Sequence, residues 1–194
     1  MILALVASAV LPSASHAADA AEPPVNLLTL AEGAVVLSAS ANAPAALSLT
    51  DGDSKTAWNN GNPKFPAPYV FVLELRAPTQ LAQVGIDNAG PRPGGVAGAA
   101  VRGLRIEGSA EGPEAGFVPL GTIEATEDGE TLIDVSHPEP LRWLRFTVES
   151  TQKPDSKWAY LDGVIAYGTQ TPPEGERFTG VFASGPKASI EMHQ

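Results

Sequence analysis

The sequence predicts an all-β chain folded as a two-layered sandwich, and three observations lead there. Short runs rich in β-branched and aromatic residues recur along most of its 194 residues. The 19 Gly and 18 Pro punctuate those runs as turns. No window carries a sustained apolar period of 3.6 residues, the mark of an amphipathic helix. Several short strands at fairly even spacing suit a sandwich or barrel, with a jelly roll as the natural topology.

The runs read in order as follows. Ala34–Ser38 is the first strand, and Tyr69–Leu75 (YVFVLEL) is the strongest. Leu81–Ile86, Val101–Glu107, Phe117–Ile123 and Thr131–Val135 follow, then Leu144–Val148 and Leu161–Tyr167. In Leu144–Val148 the apolar Leu144, Phe146 and Val148 alternate with Arg145 and Thr147, the period of a half-buried strand. Three long irregular stretches interrupt the series: Thr50–Pro68, Asn88–Gly98 and Ser150–Tyr160. Connections of that length usually carry function, and in a sandwich they gather at its two ends.

The flanks differ from this middle. Residues 1–17 read as a signal peptide, with an apolar run from Ile2 to Leu11 too short to span a membrane and small Ser15 and Ala17 at the cleavage site. No Lys or Arg follows Met1, a departure from that pattern. Residues 18–24 are an acidic, Pro-containing linker, and 25–168 form the main domain. Residues 169–177 (TQTPPEGER) are a second linker. Residues 178–194 resume strand-like text, as the start of a further β unit or as a packing hairpin.

Composition narrows the function. With 12 Lys+Arg against 22 Asp+Glu the formal charge is −10, which disfavours nucleic acid. Without cysteine there is no disulfide framework, thiolate metal site or cysteine nucleophile. The chain has no His-Glu-x-x-His motif, Gly-x-Ser-x-Gly elbow or phosphate-binding glycine loop followed by Lys and Ser/Thr. These absences point away from an enzyme. Export to the periplasm or extracellular space, with no membrane span, is expected.

One segment carries distinctive chemistry: Leu49-Thr50-Asp51-Gly52-Asp53-Ser54-Lys55-Thr56-Ala57-Trp58. Two carboxylates flank a glycine and a hydroxyl follows, a set that can wrap oxygens around a hard cation. Asp-Gly is also simply a common turn dipeptide. Among aromatic residues, Trp143 sits in the Arg142-to-Phe146 run and reads as a packing residue. Trp158 lies in a polar loop with Lys153, Asp155 and Lys157, where it serves either as a contact or as a cap on the sandwich end. Asn60, Asn88 and Arg92 lie in the other long loops and offer hydrogen bonds to hydroxyls.

The ordered set NLLTLAEGAVVLSAS, SLTDGDSKTAW, YVFVLEL, LRIEGSAEGPEAGFVPLGTI, LRWLRFTVEST and LDGVIAYG resembles discoidin, or coagulation-factor type C, domains and the overlapping family-32 carbohydrate-binding modules. The resemblance spans about residues 25–168. It implies a galactose-binding-like β-sandwich jelly roll that binds glycans, lipids or proteins through loops at one end, often with a structural Ca2+. It places metal ligands at Asp51, Asp53 and Thr56, partly through backbone oxygens. It also implies an acidic residue at the start of a Glu-apolar-x-apolar-x-Gly ending, where this chain has Gly163 with Asp162 one residue earlier. A bulge at Gly163 would restore Asp162 to the site; without one it faces away. It implies Trp58 as a ring packed inside the core and Arg145 as a strand arginine that pairs with a carboxylate. The expected function is a non-catalytic module recognising a glycan or cell-envelope component, with Trp158, Lys153, Arg92, Asn88 and Asn60 as contact residues. A structural or protein-interaction module, or an accessory region of a larger hydrolase, is the alternative.

Overall fold

The computed structural model describes residues 23–64, 66–90 and 96–170. The expected signal peptide, most of the first linker, Arg92 and the segment from 171 onward lie outside them. Nine strands are described: β1 (Val35–Ala39), β2 (Trp58–Asn59), β3 (Tyr69–Asp87), β4 (Gly103–Ser109), β5 (Val118–Glu124), β6 (Glu130–Asp134), β7 (Leu141–Val148), β8 (Tyr160–Leu161) and β9 (Gly163–Gln170). Short 3-10 turns cover Leu30–Glu32 and Ala43–Leu49. The all-β prediction holds.

The two expected strands 69–75 and 81–86 are one strand of 19 residues, β3. Between them lies Pro78, which donates no ladder hydrogen bond. The structure accommodates it where pairing with β7 shifts register, between Glu74 and Thr79. The two halves of β3 then serve different neighbours. Its first half lies between β1 and β7, in the order β1-β3-β7-β4-β5, and its second half pairs with β6 and β9. All these pairings are antiparallel.

Alternate residues of these strands fill a single core, including Phe71, Leu73, Val84, Ile86, Leu104, Ile106, Leu144, Phe146, Val164 and Ala166. Trp58 sits in it fully buried, edge-on to Tyr69 and Phe71 with ring centroids 5.2 and 4.8 Å away. Its indole Nε1 donates to the carbonyl of Ala41 at 3.0 Å, so its polar edge is satisfied.

The amino-terminal segment is clasped to the last strand. Asn26 donates from Nδ2 to the Val164 carbonyl (2.9 Å) and accepts at Oδ1 from the amides of Leu28 and Ala166 (both 3.0 Å). The Leu27 amide donates to the Ala166 carbonyl at 2.9 Å. Strand β9 continues to Gln170, which pairs with Thr79, two residues past the boundary expected at Gly168.

On the outward face, Arg145 meets Glu107 through two bonds, Nε to Oε2 at 2.8 Å and Nη2 to Oε1 at 2.7 Å. This is the pairing that the family resemblance implies for Arg145. Its guanidinium lies 4.2 Å from the centroid of the Phe117 ring, and Arg105 Nη1 adds an ion pair to Glu107 at 3.2 Å. The Arg145 hydrogen bond, with the Arg145 and Arg105 charges adding to it, outweighs burial and holds the Glu107 carboxyl below its ordinary value. A depressed carboxyl contributes stability above its unfolded-state pKa and loses it as pH falls through the lowered value. Glu107→Gln is therefore expected to cost about 2 kcal/mol at neutral pH. Its melting temperature should also fall less steeply than that of the native chain on acidification through and below the ordinary carboxylate range. Parallel melting curves for the two proteins across that range would remove Glu107 from the acid response.

Candidate functional site

The three long connections meet at one end of the sandwich. Strand β2, inside the first, pairs with β8 just beyond the third. The Lys153 amide donates to the Gly98 carbonyl at 2.9 Å, and the Tyr160 amide donates to Ala99 at 2.8 Å. The third connection thus lies beside the end of the second.

Two of the expected contact residues tie this end together. Asn60 is fully buried, and its Nδ2 donates to the Tyr69 hydroxyl (2.9 Å) and the carbonyls of Lys157 (3.1 Å) and Asn62 (3.2 Å). Asn88 is fully buried and donates to the carbonyls of Val101 (2.9 Å) and Thr126 (2.7 Å). These positions correct the expectation that they face a ligand. Loops packed this closely carry backbone carbonyls away from water, and each requires a donor. A buried side-chain amide supplies two.

Trp158 is half-buried and lines a cavity of about 300 Å³. Pro63, Pro66 and Ala67 of the first connection face it, with Pro154, Ser156 and Lys157 of the third; Tyr69 is also in its lining. Ser156 sets the Trp158 backbone, its Oγ donating to the Trp158 carbonyl at 2.7 Å and accepting from the Trp158 amide at 3.3 Å. The proline-framed walls restrict backbone freedom around an aromatic face. Burial pushes the Tyr69 hydroxyl pKa up, opposed by its bond from Asn60. Lys153 is not among the lining residues: its Nζ lies 3.7 Å from Asp155 Oδ1. Lys157 and Tyr69 were not singled out as site residues, because one adjoins Trp158 in a charged loop and the other reads as the start of a strand.

The second cavity, about 270 Å³, lies under the 50–58 loop, and its lining includes Asp51, Asp53, Asp87, Glu130, Asp162 and Gly163. Asp51 Oδ1 accepts from the Asp53 amide (2.9 Å) and Oδ2 from the Thr56 hydroxyl (2.8 Å). Asp53 Oδ1 accepts from the Lys55 amide (2.9 Å), and its carbonyl accepts from the Thr56 amide at 3.0 Å.

Asp162 lines the same cavity from the start of β9. The ladder between β3 and β9 is regular from Asp87↔Gly163 through Gln83↔Tyr167, and the Asp162 amide also donates to the Asp87 carbonyl at 3.2 Å, so Asp162 and Gly163 both stand opposite Asp87, the two-against-one arrangement of a bulge. A Cβ built on Gly90 would fall 2.5 Å from Asp162 Oδ1, which places this carboxylate against the second connection. At Gly163, by contrast, a Cβ would meet only ordinary neighbours, Asp87 Cβ at 3.8 Å and Leu49 O at 4.0 Å. A side chain has room there and none is present. Among the described residues no three acidic or histidine side chains gather to hold an ion.

A scan against protein-family models finds no match, and a search of curated proteins finds none either. Solved structures do match. A family-32 carbohydrate-binding module from a family 31 glycoside hydrolase of Clostridium perfringens aligns with TM-score 0.58 at 18% identity, over 71% of this chain and 92% of that one. The family 32 module of C. perfringens NanJ, solved with galactose, aligns with TM-score 0.54 at 16% identity, over 73% and 98%. Allantoicase from Saccharomyces cerevisiae aligns with TM-score 0.56 at 17% identity, but over 43% of its own chain against 75% of this one. The fold is that of family-32 carbohydrate-binding modules and related galactose-binding-like domains.

Proposed function

We propose that this chain is a non-catalytic binding module of an exported protein, recognising carbohydrate in the cavity beside Trp158. The observation that carries the reading is that cavity: a half-buried indole at the loop end of the sandwich, with Lys157 and Ser156 beside it. An aromatic face stacks on the apolar face of a pyranose ring, while nearby polar groups select its hydroxyls. Structural neighbours with this fold are carbohydrate-binding modules, one of them solved with galactose.

Its lining supports binding over hydrolysis. Glu149 is the one carboxylate among the lining residues, and Arg105 Nε engages it at 3.3 Å. Glycoside hydrolysis ordinarily needs two carboxyl groups flanking the bond. Export rests on the apolar run and small residues near the amino terminus. Among the described residues no helix is long and apolar enough to cross a membrane.

A glycan array read with the full chain identifies a ligand, and Trp158→Ala then tests the site. The variant is expected to lose about tenfold or more in affinity, roughly 1.4 kcal/mol, with its melting temperature nearly unchanged. Unaltered affinity in the folded variant would move recognition away from this cavity. Binding to no glycan at all would turn the reading toward a protein-interaction module.

A further inference from the structure

The chain carries a formal charge of −10, yet the charge left uncompensated around the Trp158 cavity is positive. We infer that the sugar bound there carries an anionic group, a carboxylate or a sulfate ester, which the Lys157 ammonium meets while the ring lies on the indole. That narrows the carbohydrate reading, on which it rests, to acidic glycans.

Three observations carry it. Lys157 lines the cavity, and Lys64 and Lys153 adjoin its wall residues Pro63 and Pro154 in the chain, so three of the five lysines stand at this site. The acidic groups there are already engaged. Arg105 Nε meets Glu149, the wall carboxylate, at 3.3 Å, and Lys153 Nζ lies 3.7 Å from Asp155 Oδ1. Among the described residues Lys64 and Lys157 enter no ion pair, so theirs is the charge a ligand meets. At physiological salt, screening confines the reach of acidic residues elsewhere to about 8 Å. Finally, the Lys157 backbone is fixed although its side chain is exposed. Its carbonyl accepts from the buried Asn60 Nδ2 at 3.1 Å, and Ser156 Oγ holds the amide and carbonyl of Trp158 beside it. Binding therefore has to order the lysine side chain alone, and not the loop that carries it.

The full chain is titrated with three probes: oligogalacturonate, its carboxyl-reduced neutral counterpart, and a sulfated galactan oligosaccharide. At least one anionic probe is expected to bind about fivefold more tightly than the neutral one, the gain from one well-placed charge contact. Preference for oligogalacturonate identifies the anion as a carboxylate, and preference for the galactan identifies a sulfate ester. Raising the salt should narrow the preference. Lys157→Gln should bring affinity for the preferred probe down to that for the neutral one. Glu149→Gln, which removes the wall carboxylate, should raise it about twofold. Opposite shifts from two exposed positions on one wall separate a charge effect from lost packing. Anionic probes that bind no better than the neutral one would overturn the inference, as would a preference that survives Lys157→Gln. If neutral binding is then lost in Trp158→Ala, the carbohydrate reading stands without it. Binding to no glycan, among these probes or on the array, removes both.

Discussion

Trp58→Ala is expected to destabilise the domain by about 4 kcal/mol, a large share of the stability of a module this size. Three losses add together. The indole is fully buried, so its removal forfeits the transfer free energy of a large apolar side chain and leaves a cavity that the surrounding strands cannot close. Its edge contacts with Tyr69 and Phe71 disappear. The Ala41 carbonyl loses its donor at a buried position. Urea denaturation followed by circular dichroism measures the effect as a lower midpoint at constant slope. A change under 1 kcal/mol would mean that the core around β2 relaxes far more than cores of this kind do.

The second large effect is predicted at a residue with no side chain. Gly85 lies in the second half of β3, paired with Leu132 of β6 on one side and Ile165 of β9 on the other. A Cβ there would overlap the Thr131 carbonyl oxygen and stand 2.9 Å from Leu132 Cα. Both are backbone atoms held in the ladder, so neither can rotate aside as a side-chain tip would. Gly85→Ala is expected to cost about 3 kcal/mol, near the upper end for overpacking. Gly112→Ala provides the control, since nothing lies within 4 Å of its Cβ position. That variant should stay within about 0.5 kcal/mol of the native protein. Equal midpoints for the two variants would show that β6 shifts freely against β3.

Much of this architecture is legible in the residues. The alternation of Leu144, Phe146 and Val148 with Arg145 fixed both a strand and its inward face, and the structure buries all three apolar side chains. Trp58 as a core residue and Arg145 as half of an ion pair follow from the family resemblance, and the structure shows both. Other features depend on contacts far apart in sequence. That 69–75 and 81–86 are one strand shows only in the pairing, where a register shift lies opposite Pro78. Asn60 and Asn88 look like ligand contacts because they stand in long loops. They are buried because loops closing over one another leave carbonyls in need of donors, such as Lys157 O, 97 residues from Asn60. Trp143 sits between these cases: read as packing, it is half-buried opposite Glu74 and Ser109, with the Arg142 guanidinium 5.5 Å from its ring centroid. Whether Asp162 reaches the cavity depended on a bulge at Gly163, and that shows only in the pairing, where Asp162 and Gly163 both stand opposite Asp87.

The bonds from Asn26 to Val164 and Ala166 join positions 138 and 140 residues apart. During synthesis, at roughly 5–20 residues per second, Asn26 emerges many seconds before either partner exists. Leu27 and Leu28, both buried once the domain is complete, have no place to go in that interval. This seam therefore cannot close until Ala166 has been made, and a chain truncated before Val164 should leave those leucines exposed and open to chaperones.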